Sequence, residues 1–582
     1  MSVFVKSPNG KLIPKTSLNA AINDDDSAGF TIVITGLVST GTAEIPATRS
    51  LQVLPGGMLQ VNPGCTLTIS CFVDAGLYQI FTGLGVVRGD FKTNSHLVPQ
   101  WWGARGDNIN NDGPAIKAMI VATKGTAEAG CRTYYFTKGI YRVEESITLT
   151  DLYGSTWVGD GGHSSYIRYM PTDSELFYIT GYLGNTFRDI CFQGEGASNV
   201  CFRFKGVGGG TETLFESCVF YGFNRVFTTV DTDINDDTLT CNSCYFRYSN
   251  TIWYNTNPQA VIWAFNDCQT LYSKGTLFWN PGGNLRVIGG SWINYNTLCY
   301  VSLTNMGYEM IFKDMKFEPL TEVAHPENNV KFLVNEGNGS SGALFENCIV
   351  NGGNDNLNEK DIFNLSGLFT LAFRRCSFGG HMVLQVNQIT NNKGPEITFD
   401  NCPSTPLIHQ TTFAANDYLG ANIRYINSQC TTSAEDANLT GTLSRRFTAS
   451  PISNEIIPGK QKIFVGNITI GTAPYGQTIH VPVPPTGVRK GWTISAVDFY
   501  YYDNTTATAL ITLYTDAGKG TKVYEFSKGA SASEHYDSVA LKDLITKHTL
   551  KFEDAPMYLE IVPTGNVEMP RMSMILTLTD FL

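Results

Sequence analysis

The sequence predicts an all-β fold: a right-handed parallel β-helix, an N-terminal capping region containing one short helix, and a C-terminal antiparallel β-sandwich. Three observations predict it. A six-residue phrase recurs ten times between residues 187 and 430. Only 16% of the residues are charged, with 57 Gly and 12% aromatics, a mix that favours strands and turns over helices. Helical periodicity is confined to one stretch before residue 130.

The phrase has an apolar residue, two more residues, a Cys or its substitute, one residue, then often an aromatic. It reads FRDICF from Phe187, FESCVF from Phe215, CNSCYF from Cys241, FNDCQT from Phe265 and IGGSWI from Ile288. It continues as FKDMKF from Phe312, FENCIV from Phe345, FRRCSF from Phe373, FDNCPS from Phe399 and YINSQC from Tyr425. Successive copies lie 23 to 33 residues apart. The third position is Asp, Asn, Ser or Gly in every copy but one, where Arg375 stands. Those residues tolerate the left-handed backbone region or bend the chain with their own side chains. The phrase therefore predicts strand, sharp turn, strand, with the first, fourth and sixth residues pointing inward. A further apolar run follows each phrase, such as RVFTTV, TIWYNT and TLFWNP. Three short strands per coil build a solenoid with coils about 4.8 Å apart. A leucine-rich solenoid would need an LxxLxL phrase, and a propeller longer repeats.

The stacking also accounts for the cysteines. There are 14, and no CxxC pair is followed by a second at zinc spacing. The thiols at 218, 244, 268, 348, 376 and 402 fall in the fourth slot, so they are expected to be buried and unpaired. None of the 8 His pairs at metal-ligand spacing, so no metal and no cofactor is expected.

The helix is predicted in DGPAIKAMIVATK from Asp112, with Asp112 as N-cap and Pro114 in the first turn. Around it the residues carry a resemblance. GLYQIF from Gly76, PQWWGARGD from Pro99, NDGPAI from Asn111, YYFTKGIYRV from Tyr134 and WVGDG from Trp157 resemble the entry segment of the pectate-lyase-like superfamily, as found in bacteriophage tailspikes. The usual Thr-Asp-Asp of that segment is here Asn-Asn-Asp-Gly. The resemblance covers residues 50–430. It implies a tailspike that binds a bacterial capsular or O-antigen polysaccharide. It also implies a homotrimer, attachment to the phage tail or another tail fibre through the N-terminus, and residence in the virion after synthesis in the host cytoplasm.

The domains expected are 1–98 as attachment and cap, 99–430 as catalytic β-helix, 431–460 as linker, and 461–582 as sandwich. The sandwich reading rests on strand-like runs separated by Gly, Pro, Asn and Asp. It is a carbohydrate-binding or trimer-locking module, with Tyr500, Tyr501 and Tyr502 available to sugar or to packing. A net charge of −11 without any Lys/Arg run argues against a nucleic-acid partner. No run of 18 apolar residues argues for membrane insertion, and the start lacks a signal-peptide apolar core.

The outward positions after each turn are the fifth and seventh. On successive coils these are Val219 and Tyr221, Tyr245 and Arg247, Gln269 and Leu271, Trp292 and Asn294, Lys316 and Glu318. Aromatic rings among polar groups suit sugar rings, so Tyr221, Tyr245, Arg247, Trp292 and Lys316 are the substrate-binding candidates. The same stripe would also suit a subunit interface. Hydrolysis needs two carboxyl groups. Candidates are Asp267 and Asp314 in turn slots, Glu318 on the stripe, and Asp233 and Asp236 in an acidic loop where like charges raise a pKa. Carboxyls on adjacent coils approach the ~5–5.5 Å of a retaining enzyme, and two coils apart the ~6.5–9.5 Å of an inverting one. Turn chemistry alone also explains Asp267 and Asp314. The long coil after Met315 carries Glu322, His325 and Glu327 in an added loop. Three functions stay open: an endoglycosidase, a lyase with Arg247 or Lys316 neutralising a uronate and a Tyr as base, and a non-catalytic receptor-binding fibre.

Overall fold

The phrase from Phe215 shows how one coil is made in this computed structural model. A leading strand, Gly210–Glu216, brings Phe215 inward. Ser217 turns the chain at φ 51°, and a middle strand, Val219–Tyr221, follows. A short corner leads to the trailing strand Arg225–Thr229. The next coils repeat the set as Leu239–Asn242, Tyr245–Arg247 and Thr251–Asn255, then Trp263–Asn266, Gln269–Leu271 and Thr276–Trp279. Each strand pairs in parallel with its counterpart one coil on. The result is a right-handed parallel β-solenoid; the middle strand recurs in an 11-stranded set.

The structure describes the chain outside a set of segments, the longest being 124–131, 302–308, 319–330, 352–359, 387–395, 411–421, 429–444, 452–459, 482–492, 515–521 and 541–556. The chain divides into two units, 1–286 and 287–582, both built of such coils.

The third phrase residue is left-handed in coil after coil. Asp189, Ser217, Ser243, Asp267, Gly289, Asp314, Asn347, Arg375 and Asn401 have φ between 50° and 67°. Most of them donate their N–H to a carbonyl of the next coil: Ser217 to Asn242 O, Ser243 to Asn266 O, Asp314 to Glu346 O and Asn347 to Arg374 O, at 2.9–3.0 Å. Arg375 departs from the turn residue types, and a left-handed residue with a Cβ costs roughly 1–2 kcal/mol. Its guanidinium is held by Glu346 Oε1 at 2.6 Å.

The interior is a set of aromatic stacks running from coil to coil. Phe187 stacks on Phe215 with centroids 4.9 Å apart, and Phe220 on Phe246 at 5.1 Å. In the second unit Phe312, Phe345, Phe373 and Phe399 stack in series at 4.8–5.1 Å. The thiols form the expected interior row. Cys218, Cys244, Cys268, Cys348, Cys376 and Cys402 are buried and free. Each directs its Sγ at the first-position carbonyl of the preceding coil, as Cys218 does at Phe187 O, 3.4 Å away. Burial pushes the Cys244 thiol well up, and the thiolate is the reactive form. Native protein is therefore expected to leave these six thiols unlabelled over hours of exposure to a maleimide. Rapid native labelling of several of them, read by peptide mapping, would contradict the row.

The N-terminal region contains more than a cap. Thr31–Ile34, Ser50–Val53 and Phe72–Ala75 pair in parallel, as do Leu37–Thr40, Met58–Val61 and Phe81–Gly83, and Ala43–Ile45, Thr66–Ile69 and Val86–Arg88. These are three small coils with an apolar interior of Ile32, Leu51, Leu59, Val61 and Leu67. The hairpin Val3–Lys6 with Leu12–Lys15 pairs antiparallel on Thr31–Ile34 and covers the first coil's edge. A second short helix, Leu18–Ile22, is N-capped by Ser17.

The predicted helix is present as Gly113–Thr123, with Ile116 and Met119 fully buried. Asp112 stands at the expected N-cap position, its carbonyl accepting from the Ile116 N–H at 3.0 Å, but its side chain is used elsewhere. The Asp112 carboxylate accepts from the N–H of Arg105 at 2.7 Å and of Gly106 at 3.1 Å, pinning the incoming loop rather than the helix start. The stretch read as a linker holds a strand, Arg445–Thr448, parallel to Asn422–Ile426. Beyond it, Lys460–Ala473, Thr493–Tyr502 and Val567–Thr579 pair antiparallel. Gln477–Val481, Ala509–Tyr514, Lys522–Lys528 and Met557–Pro563 form a second antiparallel set.

Candidate functional site

The outward face of the middle strands places Tyr245 and Arg247 on either side of the inward Phe246, which is fully buried. Register sets Tyr221, Arg247 and Leu271 in one line across three coils, and Val219, Tyr245 and Gln269 in the other. Val219 is only 6% exposed, because Gly162 packs against it.

Just past each middle strand the corner residue is left-handed. Gly222, Tyr248 and Tyr272 have φ of 74°, 51° and 59°. Gly is at ease there; a tyrosine is not. Yet Tyr248 and Tyr272 stand 43% and 37% exposed, stacked at 5.1 Å and 16°. Tyr221 leans on Tyr248 at 5.3 Å. The Arg247 guanidinium lies 5.3 Å from the Tyr245 ring and 5.8 Å from that of Tyr248, within cation–π range. Backbone strain held at exposed aromatics points to a surface kept for contact. Tyr248 and Tyr272 were missed from sequence. The signal was the aromatic after each seventh residue, in RY and LY.

The carboxylates fall in different settings. Asp267 is exposed in a left-handed turn slot. Asp314 occupies the same slot on its own coil and accepts from Asn347 Nδ2 at 2.8 Å. Asp236 is only 1% exposed. It accepts from the Tyr182 hydroxyl at 3.3 Å and from Asn257 Nδ2 at 3.0 Å, and its backbone carbonyl accepts from Trp263 Nε1 at 3.1 Å. The sequence offers Asp236 as a candidate carboxylate in an acidic loop; in the fold it is buried and satisfies polar groups of the interior. Its neighbour Asp237, not singled out from sequence, is half-buried, and burial pushes its carboxyl up. Asp233 lies outside the described residues, as do Glu322, His325 and Glu327. Glu318 ends the strand Lys316–Glu318, in register with Ile293, and Lys316 is exposed beside it.

Trp292 is the clear correction on the stripe. It is fully buried and in register with the inward Phe317. The left-handed slot of this coil is Gly289, whose N–H donates to Lys313 O. The phrase therefore starts at Val287, one residue earlier than the sequence pattern placed it. Ser291 and Ile293 take the outward positions.

Among the described residues no group of three His, Cys, Asp or Glu could hold a metal ion. No described helix is long and apolar enough to cross a membrane.

No protein-family model matches the chain, and no curated protein does. Solved structures do resemble it. The tailspike of Acinetobacter baumannii phage AM24 is similar over 84% of both chains, at 11% identity and a TM-score of 0.38. The tailspike of a second Acinetobacter phage is similar over 81% of this chain and 88% of that one, at 13% identity and a TM-score of 0.35. The A-module of a mannuronan C-5 epimerase from Azotobacter vinelandii is similar over 60% of this chain and 91% of that one, at 12% identity and 0.35.

Proposed function

We propose that this chain is a phage tailspike that grips a bacterial surface polysaccharide along the middle-strand face and cuts it internally by hydrolysis. The observation that carries the reading is the row of Tyr221, Tyr248 and Tyr272 with Tyr245 and Arg247 beside it. A linear polymer laid across successive coils meets a repeated aromatic and cationic surface. The resemblance of the entry segment to tailspikes supplies the phage. In this reading Asp267, Asp314, Glu318 and Asp233 are the carboxylates from which acid and partner are drawn. Residues 1–98 attach to the tail, and 461–582 form a β-sandwich that binds carbohydrate or locks a homotrimer.

One specific observation favours a lyase as the second reading. Arg247 has two tyrosine rings against it, the arrangement a uronate-neutralising cation and a phenol base would need. Incubation with a panel of purified capsules and O-antigens tests both. Shorter chains whose new ends do not absorb in the near ultraviolet support hydrolysis, near-ultraviolet-absorbing ends support the lyase, and binding without shortening rejects both in favour of a fibre.

Tyr248→Gly and Tyr272→Gly relax the left-handed backbone while removing the rings. Melting is expected to stay within a few degrees of wild type while polymer affinity falls about tenfold, roughly 1.4 kcal/mol. Unchanged affinity in the double variant would remove this face from the binding site. A homotrimer follows from the tailspike reading, since closed symmetry is the common way to cover a solenoid flank. Light scattering that gives a monomer at micromolar concentration would reject it.

A further inference from the structure

We propose that the outward face of the trailing strands is a second carbohydrate site, one that takes an acidic sugar by its carboxylate. Register puts Tyr178, Arg203, Thr228, Tyr254 and Trp279 in one line over five successive coils. Arg225, from the coil before Tyr254, lays its guanidinium over the Tyr254 ring at 3.5 Å. Trp279, from the coil after, stacks on Tyr254 at 5.8 Å and 24°. Tyr254 thus meets a partner from each adjacent coil, and the Arg225 guanidinium is held against its ring. A guanidinium fixed by stacking keeps its N–H donors in its own plane, as a fork for a carboxylate.

Two further polar groups on the same line are left without partners. Thr228 is 3% exposed, stands between Arg203 and Tyr254, and its hydroxyl makes no hydrogen bond. Arg203 Nε is also buried without a partner. The one ion pair of Arg203 is loose: Nη1 lies 3.8 Å from Glu175 Oε2. Buried polar groups are ordinarily satisfied, so a hydroxyl and a guanidinium left open on one line call for an acceptor from outside. Among the described residues two guanidinium groups face one distant carboxylate on this line, which suits an anionic acceptor. The aromatic bracket adds the apolar surface a sugar ring uses. This face is separate from the middle-strand face; the corner residues come between them in every coil. The proposal shares with the proposed function the premise that the partner is a polysaccharide, and adds that its repeat unit carries a carboxylate.

Affinity electrophoresis of the full chain in gels containing polygalacturonate or neutral dextran tests it. Wild type is expected to be retarded by polygalacturonate and not by dextran. Arg225→Ala and Arg203→Ala should each weaken the retardation at least about tenfold, and Arg225→Lys should not restore it. Thr228→Val should weaken binding while raising the thermal midpoint, because it removes an unsatisfied buried hydroxyl, an effect that a misfolded variant would not show. Wild type unretarded by polygalacturonate, or retardation unchanged in Arg225→Ala, overturns the assignment. So does a drop in assembled mass on Arg225→Ala, which would make the face a subunit contact. Capsule shortening is read separately. If it is absent while polygalacturonate binding persists, the proposed hydrolysis fails and this site stands; the reverse removes only this site.

Discussion

Asp267→Asn is expected to lower the rate of polymer cleavage at least ~10²-fold, the usual loss when a general acid or base is removed. Glu318→Gln carries the same expectation. Both substitutions are chosen to spare the fold. Asn tolerates the left-handed slot that Asp267 occupies at φ 50° as well as Asp does, and Asn401 already fills that slot at φ 54°. Glu318 ends a three-residue strand, where glutamine keeps the same length. Asp314→Asn is the internal comparison, because its carboxylate already serves Asn347 Nδ2. Initial rates of reducing-end release, measured on assembled protein, decide the matter. Full activity in all of Asp233→Asn, Asp236→Asn, Asp267→Asn, Asp314→Asn and Glu318→Gln would move the chemistry elsewhere, first to the loop with Glu322 and Glu327 or to a groove between subunits.

The largest effect on stability is expected from Phe215→Ala, at about 3–5 kcal/mol. Phe215 is fully buried. It stacks on Phe187 at 4.9 Å and meets Phe202, Phe227 and Phe220 at 5.0, 5.0 and 5.6 Å. Its removal opens a cavity that touches all three ladders of one coil. Large β proteins commonly unfold irreversibly, so the readout is the unfolding rate in denaturant rather than an equilibrium midpoint. Phe399→Leu, which keeps most of the volume, should cost under about 1.5 kcal/mol. Equal rates for wild type and Phe215→Ala would mean that the interior stack is not what holds the coils.

The repeat was legible because its turn leaves a chemical mark. Asp189, Ser217, Asp267 and Asn347 are residues that accept φ near 55°, and the Phe and Cys around them are spaced by strand geometry. The same mark misled at Ile288, where Gly289 and Gly290 both accept positive φ. Sequence could not say which glycine turned the chain, and a one-residue slip exchanges inside for outside, so Trp292 was read as outward. The three N-terminal coils were illegible for the opposite reason: turns such as Asn62-Pro63-Gly64 and Thr82-Gly83-Leu84 share no fixed phrase. Gly56, Gly64 and Gly83 carry the positive φ there; the first two follow a proline and the third does not, so the turns never fall into one repeated phrase. Strand alternation also fails in the trailing strands. Val226 and Phe227 are both fully buried, as are Ile252 and Trp253, because the chain enters each strand from a corner. Counting by twos therefore hid Tyr254 and Trp279. The buried role of Asp236 depends on Tyr182 and Asn257, 54 and 21 residues away, and no local pattern announces such partners.

The left-handed turn line has an evolutionary consequence. Each turn residue bonds only to the coils next to its own, and each aromatic stack joins only neighbours, so one complete repeat is a unit that can be removed or duplicated without rewriting the others. Excising residues 216–241, one full repeat, would join Phe215 to Asn242 and present that strand with the partner now offered by Trp263–Asn266, on matching geometry. The gripping surface would shorten by one step of about 4.8 Å and keep its chemistry on either side. Insertion of a repeat would lengthen it by the same step. On the proposed function, a lineage of such chains would match its reach to polymers of different repeat length by whole-coil edits, while point substitutions at Tyr248 or Arg225 would change only what is recognised at one rung.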